Sequence, residues 1–325
     1  MFVRGLRASV SKRVPGAGKA VVRAAGGVGR FSVREASTSR ATETLSDLSD
    51  DGIYTVTMNR PKTLNGWTKP MMLELKDHFE HAEREEHVKV MVLTGNGDYY
   101  CAGVNLAGVV KPMHPAKLHE LIRQSNQALF DMFLDLKKPI IAAVNGPAIG
   151  ASVTSATLCD AIVSSPRATF STPFARLGVP PEGCSSVHFA RFMGQENADR
   201  MMGEEAWVPT AKEARDALGF VHTVVEEEDG ALLAAANELA REWIASGKPR
   251  EVGPLKGDAH VAEEYKRVNA AESEELAHCF LGVDFLEGQR AFLSSKGKSQ
   301  AAMVFNVLKL TRPVWSLLLP PKKSV

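Results

Sequence analysis

With 325 residues, the chain exceeds one typical domain without demanding two, since α/β cores routinely pass 200 residues. Apolar residues make up 44% and charged residues 24%, the balance of an ordinary globular enzyme. A formal net charge of +1 gives no global reason for binding nucleic acid or an anionic membrane.

The positive charge is uneven. Arg4, Arg7, Lys12, Arg13, Lys19, Arg23, Arg30 and Arg34 precede the first acid, Glu35, with Ser, Ala and Gly between them. Residues 1–40 therefore have the composition of an organellar transit peptide, disordered or removed, with the mature start between Arg34 and Ser49. No uninterrupted apolar run follows, as a secretory signal would require; a basic arm for RNA or lipid is the alternative. The mitochondrial matrix is the expected destination, a plastid the second choice. The terminal Lys323-Ser324-Val325 lacks the usual peroxisomal ending.

After this segment, Gly52–Asn59 reads as a strand ended by Arg60-Pro61, Pro70–Glu86 as a helix and Val88–Thr94 as a strongly apolar strand. Ala116–Leu136 is an amphipathic helix leading into the continuously apolar strand Pro139–Val144, a pattern of burial on both faces. Ala148–Leu158 opens a helix, and Asp160–Ser164, Ala168–Ser171 and Val221–Val225 are strands. Asp229–Ser246, Val261–Phe280 and Val283–Ser295 are helical. The alternation predicts an α/β layered core over 45–225 and a C-terminal helical region over 226–325.

Cys101, Cys159, Cys184 and Cys279 are far apart, with no C-x-x-C pair and no ligand spacing with histidine, so no zinc or iron–sulfur site is expected. The uncharged run Pro139–Cys159 is broken by Asn145-Gly146-Pro147 and Gly150, which fits strand, turn and helix start better than a membrane span.

The chemistry centres on Glu182, in Pro180-Pro181-Glu182-Gly183-Cys184. It follows two small-residue turns, Cys101-Ala102-Gly103-Val104 and Asn145–Ala151, each able to present a backbone N–H. Two N–H donors hold a developing oxyanion while one carboxylate moves a proton on the neighbouring carbon. The combination points to proton abstraction beside a carbonyl.

The ordered segments Met58–Asn65, Tyr100–Leu106, Ala142–Gly150 and Cys159-Asp160 resemble the crotonase (enoyl-CoA hydratase/isomerase) superfamily over about Gly52–Val225. The resemblance implies a crotonase (ClpP-like) spiral of ββα units, a helical C-terminal trimerisation region giving a homotrimer or hexamer, and an acyl-CoA thioester as substrate without further cofactor. It places the oxyanion-holding N–H groups on Val104 and Ala151, and acyl-CoA contacts on Lys62, Leu64, Ala102, Gly103, Asn105, Leu106 and Gly150. Asn105 stands where the family frequently has aspartate.

Water-adding members resemble one another in carrying two glutamates, and those positions fall here on Thr154 and Phe174, neither of which ionises. Hydration needs a water oriented and deprotonated, a task suited to paired carboxylates; moving a double bond from C3–C4 to C2–C3 needs no water. The context Leu177–Ser186 around Glu182 is similar to the peroxisomal-type Δ3,Δ2-enoyl-CoA isomerases, in which a lone glutamate is the acid–base group. The implied function is that isomerisation, in unsaturated fatty acid β-oxidation. Another crotonase reaction, hydration or thioester hydrolysis, and a non-catalytic acyl-CoA-binding protein are the alternatives.

Other polar residues have plainer readings. His119 falls on the polar side of its helix, His188 lies near Glu182, and Asp131 and Asp135 read as surface acids. Asp160 is expected to cap or to hydrogen-bond internally, and Glu272–Glu275 to face solvent. Lys296, Lys298 and Lys309 form a basic tail that could meet CoA phosphates, and Leu177, Met201, Met202 and Trp207 could shape an acyl tunnel.

Overall fold

The computed structural model describes residues 42–104, 113–226, 230–252 and 260–321. Residues 1–40, expected above to be a transit peptide, lie outside them, as do Asn105 and Leu106.

Its centre is a six-stranded sheet of β1 (Thr44–Leu48), β2 (Ile53–Met58), β3 (Val90–Gly95), β4 (Ile140–Val144), β6 (Ala161–Ser164) and β8 (Thr223–Val224), in that order. β1 pairs antiparallel with β2, and every later pairing is parallel. The intervening short strands β5 (Ala148–Ile149) and β7 (Phe170–Ser171) pair with each other in a separate two-stranded sheet. β1 was not anticipated: Leu45, Ser46 and Asp47 are exposed, so this edge strand carries little apolar alternation.

Parallel strands need crossovers, here supplied by α1 (Lys69–Arg84), α2 (Pro115–Asp135) and α3 (Ala151–Thr157). Thr68 starts α1 with its side chain accepting from the Met71 N–H, and Pro70 occupies the first turn, where no intrahelical donor is needed. The run Ala148–Leu158 divides, because Ala148–Ile149 is drawn into β5 and Gly150, at φ +60°, turns the chain into α3.

The sheet is buried on both faces, as its apolar strands foretold. Val56, Met58, Leu93, Ala142 and Val144 face the main core with α1 and α2. Ile53, Val90, Val92, Ile141 and Val163 point the other way, against Ala236, Ala240 and Trp243 of α8 (Ala231–Ser246). Between β7 and α8 run α4 (Phe174–Leu177), α5 (Ser185–Met193), α6 (Gln195–Met202) and α7 (Ala211–Asp216).

Asp160 is buried and hydrogen-bonded, as read from its position. It accepts from the Ile140 N–H at 2.8 Å and pairs with Arg250 at 3.0 Å, while Arg250 also donates to the Phe133 and Leu158 carbonyls. Burial raises this carboxyl's proton affinity and the guanidinium opposes the rise.

α9 (Val261–Phe280), α10 (Val283–Ser295) and α11 (Ser299–Trp315) follow. α9 enters the main core through Val261 and Tyr265, and its later part joins α2, α10 and α11 in a second cluster around Leu118, Ile122, Leu276, Phe280 and Phe305. α11 lies in the expected C-terminal helical region, though its bounds were not read from the sequence, and carries Pro313 in its last turn. Among the described residues no helix is long and apolar enough to cross a membrane.

Candidate active site

Two asparagines of the sequence motifs build the turn that carries Val104. Asn65, at φ +52°, donates to the Asn96 and Tyr99 carbonyls and accepts from the Arg60 N–H. Asn145 donates to the Gly97 and Tyr99 carbonyls and accepts from the Gly95 N–H. Both clamp the segment 95–99, which delivers the chain into Cys101–Val104.

That turn is then laid against the start of α3. The Ile149 N–H donates to the Cys101 carbonyl at 3.0 Å, and the Ser152 hydroxyl donates to the same oxygen at 2.9 Å. Gly103 packs so closely that a Cβ there would sit 2.7 Å from the Ile149 carbonyl oxygen. Val104 and Ala151 are thereby brought into one place from two distant parts of the chain. Neither N–H donates to a protein acceptor among the described residues, and Ala151 opens α3, where the peptide dipoles favour negative charge.

The acidic residue arrives from the loop between α4 and α5. Gly183, at φ +67°, is pressed between α2 and α3: a Cβ would lie 2.4 Å from Phe130 Cε1 and 2.7 Å from Thr154 Oγ1. Glu182 therefore precedes a residue packed directly on Thr154 of α3. Glu182 is half-buried. Thr154 and Phe174, the positions where the resemblance implies acids in hydrating members, are buried and neither ionises.

The loop is held from behind by a residue expected in solvent. Glu272, on α9, is 6% exposed, and its carboxylate accepts from the Cys184 N–H at 2.6 Å and the Ser186 N–H at 2.9 Å. The expectation for Glu272 was wrong because the buried stripe Val261, Tyr265, Asn269, Glu272, Leu276, Phe280 has helical spacing and includes it. That periodicity was the available signal.

Burial, and then the Glu272 charge, push the Glu182 carboxyl up to about 8. Glu272 is also raised by burial, while the Ser186 and Cys184 donors pull it back towards ionisation. Both carboxyls are thus raised, and hydrogen-bond donors oppose the rise only at Glu272.

The remaining residues singled out in the sequence sort clearly. Ala102 donates its N–H to the Leu64 carbonyl at 2.9 Å, so Leu64, Ala102 and Gly103 adjoin; Leu64 and Lys62 are exposed at this edge. His188 is fully buried: its Nε2 donates to the Thr157 carbonyl at 3.0 Å, leaving Nδ1 to accept from the Tyr265 hydroxyl at 2.9 Å. Burial holds it neutral, down to about 4, as a packing residue. Asp131 is half-buried rather than on the surface, accepting from Asn269 at 2.8 Å. His119 is buried rather than solvated, because its helix face meets α9. Lys309 pairs with Glu287 at 2.9 Å. Burial raises the Cys101 and Cys159 thiols to about 12, which leaves them unreactive.

Comparison with known proteins identifies the family and the fold. Residues 49–299 match the family model described as enoyl-CoA hydratase/isomerase, and the chain belongs to that crotonase family. It is 41% identical over 163 residues to human "Enoyl-CoA delta isomerase 2", covering 49% of this chain and 41% of that protein. It is 36% identical over 169 residues to "Enoyl-CoA delta isomerase 3, peroxisomal" of Mus musculus, covering 49% and 52%. The chain thus spans about half the length of these curated relatives. Among solved structures, an enoyl-CoA hydratase/isomerase from Pseudoalteromonas atlantica T6c superposes with a TM-score of 0.64 at 26% identity, covering 78% of this chain and 97% of that one. The fold is the crotonase fold, α/β with a mixed sheet and a helical C-terminal region.

The two carboxyls yield a direct test. An infrared titration, with Glu182→Gln to assign the band, is expected to show one carboxyl ionising with a midpoint near 8. In Glu272→Gln the charge-derived part of the shift is lost, so the midpoint moves to lower pH but stays above 4.5 because burial persists. An unmoved midpoint in that variant would show that the two groups are not electrostatically linked.

Proposed function

We propose that the protein moves the double bond of a 3-enoyl-CoA thioester from C3–C4 to C2–C3, with Glu182 as the single proton carrier. The observation that carries this reading is the pairing of a half-buried Glu182 with Thr154 and Phe174 at the hydratase acid positions. The thioester oxygen is held by the Val104 and Ala151 N–H groups. The ionised fraction of Glu182, a minority below pH about 8, takes a proton from C2, and the C–H electron pair spreads through a dienolate whose charge rests on that oxygen. The same carboxyl returns the proton to C4, leaving the double bond at C2–C3.

Donors aimed at a developing oxyanion are worth about 3 kcal/mol each in barrier height. A carboxyl with high proton affinity accepts from carbon more readily and holds the proton until C4 is presented. Phe174 keeps the surroundings apolar, which protects the dienolate from stray protonation. Lys62, Leu64, Ala102, Gly103, Asn105, Leu106 and Gly150 are assigned to the CoA and pantetheine portion, with no separate cofactor.

The α11 surface supports self-association. Met303, Val307, Leu310 and Val314 of α11 recur at helical spacing and are exposed, as is Leu317 in the short turn that follows. A homotrimer or hexamer built on this face covers them. The basic, acid-free composition of the segment before Glu35 supports import into the mitochondrial matrix, checked by organelle fractionation of the full chain.

Glu182→Gln is expected to keep the fold and acyl-CoA binding while lowering isomerisation by about 10²- to 10⁴-fold. An undiminished rate rejects the assignment, and solvent oxygen in the product assigns hydration instead. Leu310→Glu together with Val314→Glu is expected to shift the particle to monomer in light scattering; an unchanged mass removes α11 from the interface.

A further inference from the structure

The α2–α9 interface is a ladder of buried polar pairs. Near Glu182, Asn269 donates to Asp131 at 2.8 Å and to the Gln127 carbonyl at 2.9 Å. One turn further along, Asn126 donates to the Ser273 hydroxyl at 3.1 Å. These rungs are closed by hydrogen bonds.

The last rung is not. His119 on α2 faces Glu274 and His278 on α9, and the two imidazole rings meet edge to face with centroids 4.4 Å apart. His119 is 2% exposed, and the Nε2 atoms of His119 and His278 are both buried without a hydrogen-bond partner among the described residues. Glu274 Oε1 lies 3.6 Å from His119 Nε2 and 3.3 Å from His278 Nε2. A buried nitrogen left unpaired costs about 1–3 kcal/mol, so two in one place require a reason.

We propose that His119 Nε2, His278 Nε2 and Glu274 Oε1 form a three-ligand site for a divalent transition-metal ion, Zn²⁺ being the best fit. Ligands at bond lengths of about 2.0–2.2 Å around a tetrahedral zinc stand roughly 3.4 Å from one another. The observed separations of 3.3 and 3.6 Å match that spacing, exceed a normal hydrogen bond, and all three donor atoms lie within 4.8 Å of each other. Two imidazoles and one carboxylate suit zinc rather than magnesium or calcium, which prefer oxygen.

The surroundings agree. Arg123 lies 3.8 Å from the second Glu274 oxygen, but its charge is already engaged by Glu120 through two bonds of 3.0 and 2.6 Å. The side chains of His278 and Glu274 are 15% and 23% exposed, giving the ion an entry path and a water in the fourth position. The ligand set spans the two helices that flank the Glu182 loop, so the ion would pin α9 to α2.

The test uses the full chain, stripped of metal with a chelator and titrated with ZnCl₂ by calorimetry. One Zn²⁺ per chain is expected in the wild type and in the control His87→Ala, with affinity reduced more than about 100-fold in His119→Ala and in the milder His278→Gln. Circular dichroism confirms that each variant is folded. Co²⁺ loaded in place of zinc is expected to give a tetrahedral visible spectrum without the sulfur charge-transfer band that a cysteine ligand adds. The proposal is overturned if the wild type takes up no zinc, if either histidine variant binds it as tightly, or if cobalt reports sulfur ligation. None of these outcomes depends on the isomerase reading.

Discussion

The Glu272 carboxylate, accepting from the Cys184 and Ser186 N–H groups, is the contact on which the active-site loop depends. The loop reverses sharply, with Gly178, Gly183 and Cys184 all at positive φ. For Cys184 that conformation costs of order 1–3 kcal/mol. Hydrogen bonds to a buried charge contribute about 1.5–3 kcal/mol each, enough to offset it. A further link comes from the Cys184 thiol to the Tyr265 carbonyl at 3.3 Å. A helix of the C-terminal region thus fixes the backbone from which Glu182 projects.

The same contact sets the electrostatics. The carboxyl that accepts from the two loop amides also raises the proton affinity of its neighbour, so the structural brace and the tuning of Glu182 are one arrangement. A half-buried acid with raised proton affinity suits reversible transfer to and from carbon. Tight packing of Gly183 on Thr154 and Phe130 keeps it close to α3, whose first N–H is the proposed oxyanion donor. Stability follows from this as well: a folded-state carboxyl raised from 4.5 to about 8 binds more protons than the unfolded chain in that window, so its contribution falls as pH rises through it.

Much of the fold was legible because the buried strands are continuous apolar runs and the helices α1, α2, α8, α9 and α10 repeat at helical spacing. β1 was not, since an edge strand with three exposed residues has almost no pattern to read. The turns of the candidate site were legible as small-residue motifs, while the roles of Asn65 and Asn145 as clamps appear only when the segments they join are adjacent. Glu272 shows a different failure. Charge argued for solvent, but its place in the stripe from Val261 to Phe280 argued for burial, and packing decided. His119 likewise joined Glu274 and His278 across two helices, a spacing along the chain that no ligand motif contains.

The central claim is spatial: one carboxyl, at position 182, reaches both allylic carbons of a thioester whose oxygen is bound by backbone amides. A crystal structure with a non-isomerisable enoyl-CoA analogue measures this directly. The account predicts the thioester oxygen at about 2.7–3.1 Å from the Val104 and Ala151 nitrogens, with the Glu182 carboxyl at about 3 Å from C2 and C4. An analogue seated with its carbonyl away from those amides, or with Glu182 turned from the acyl chain, would contradict it.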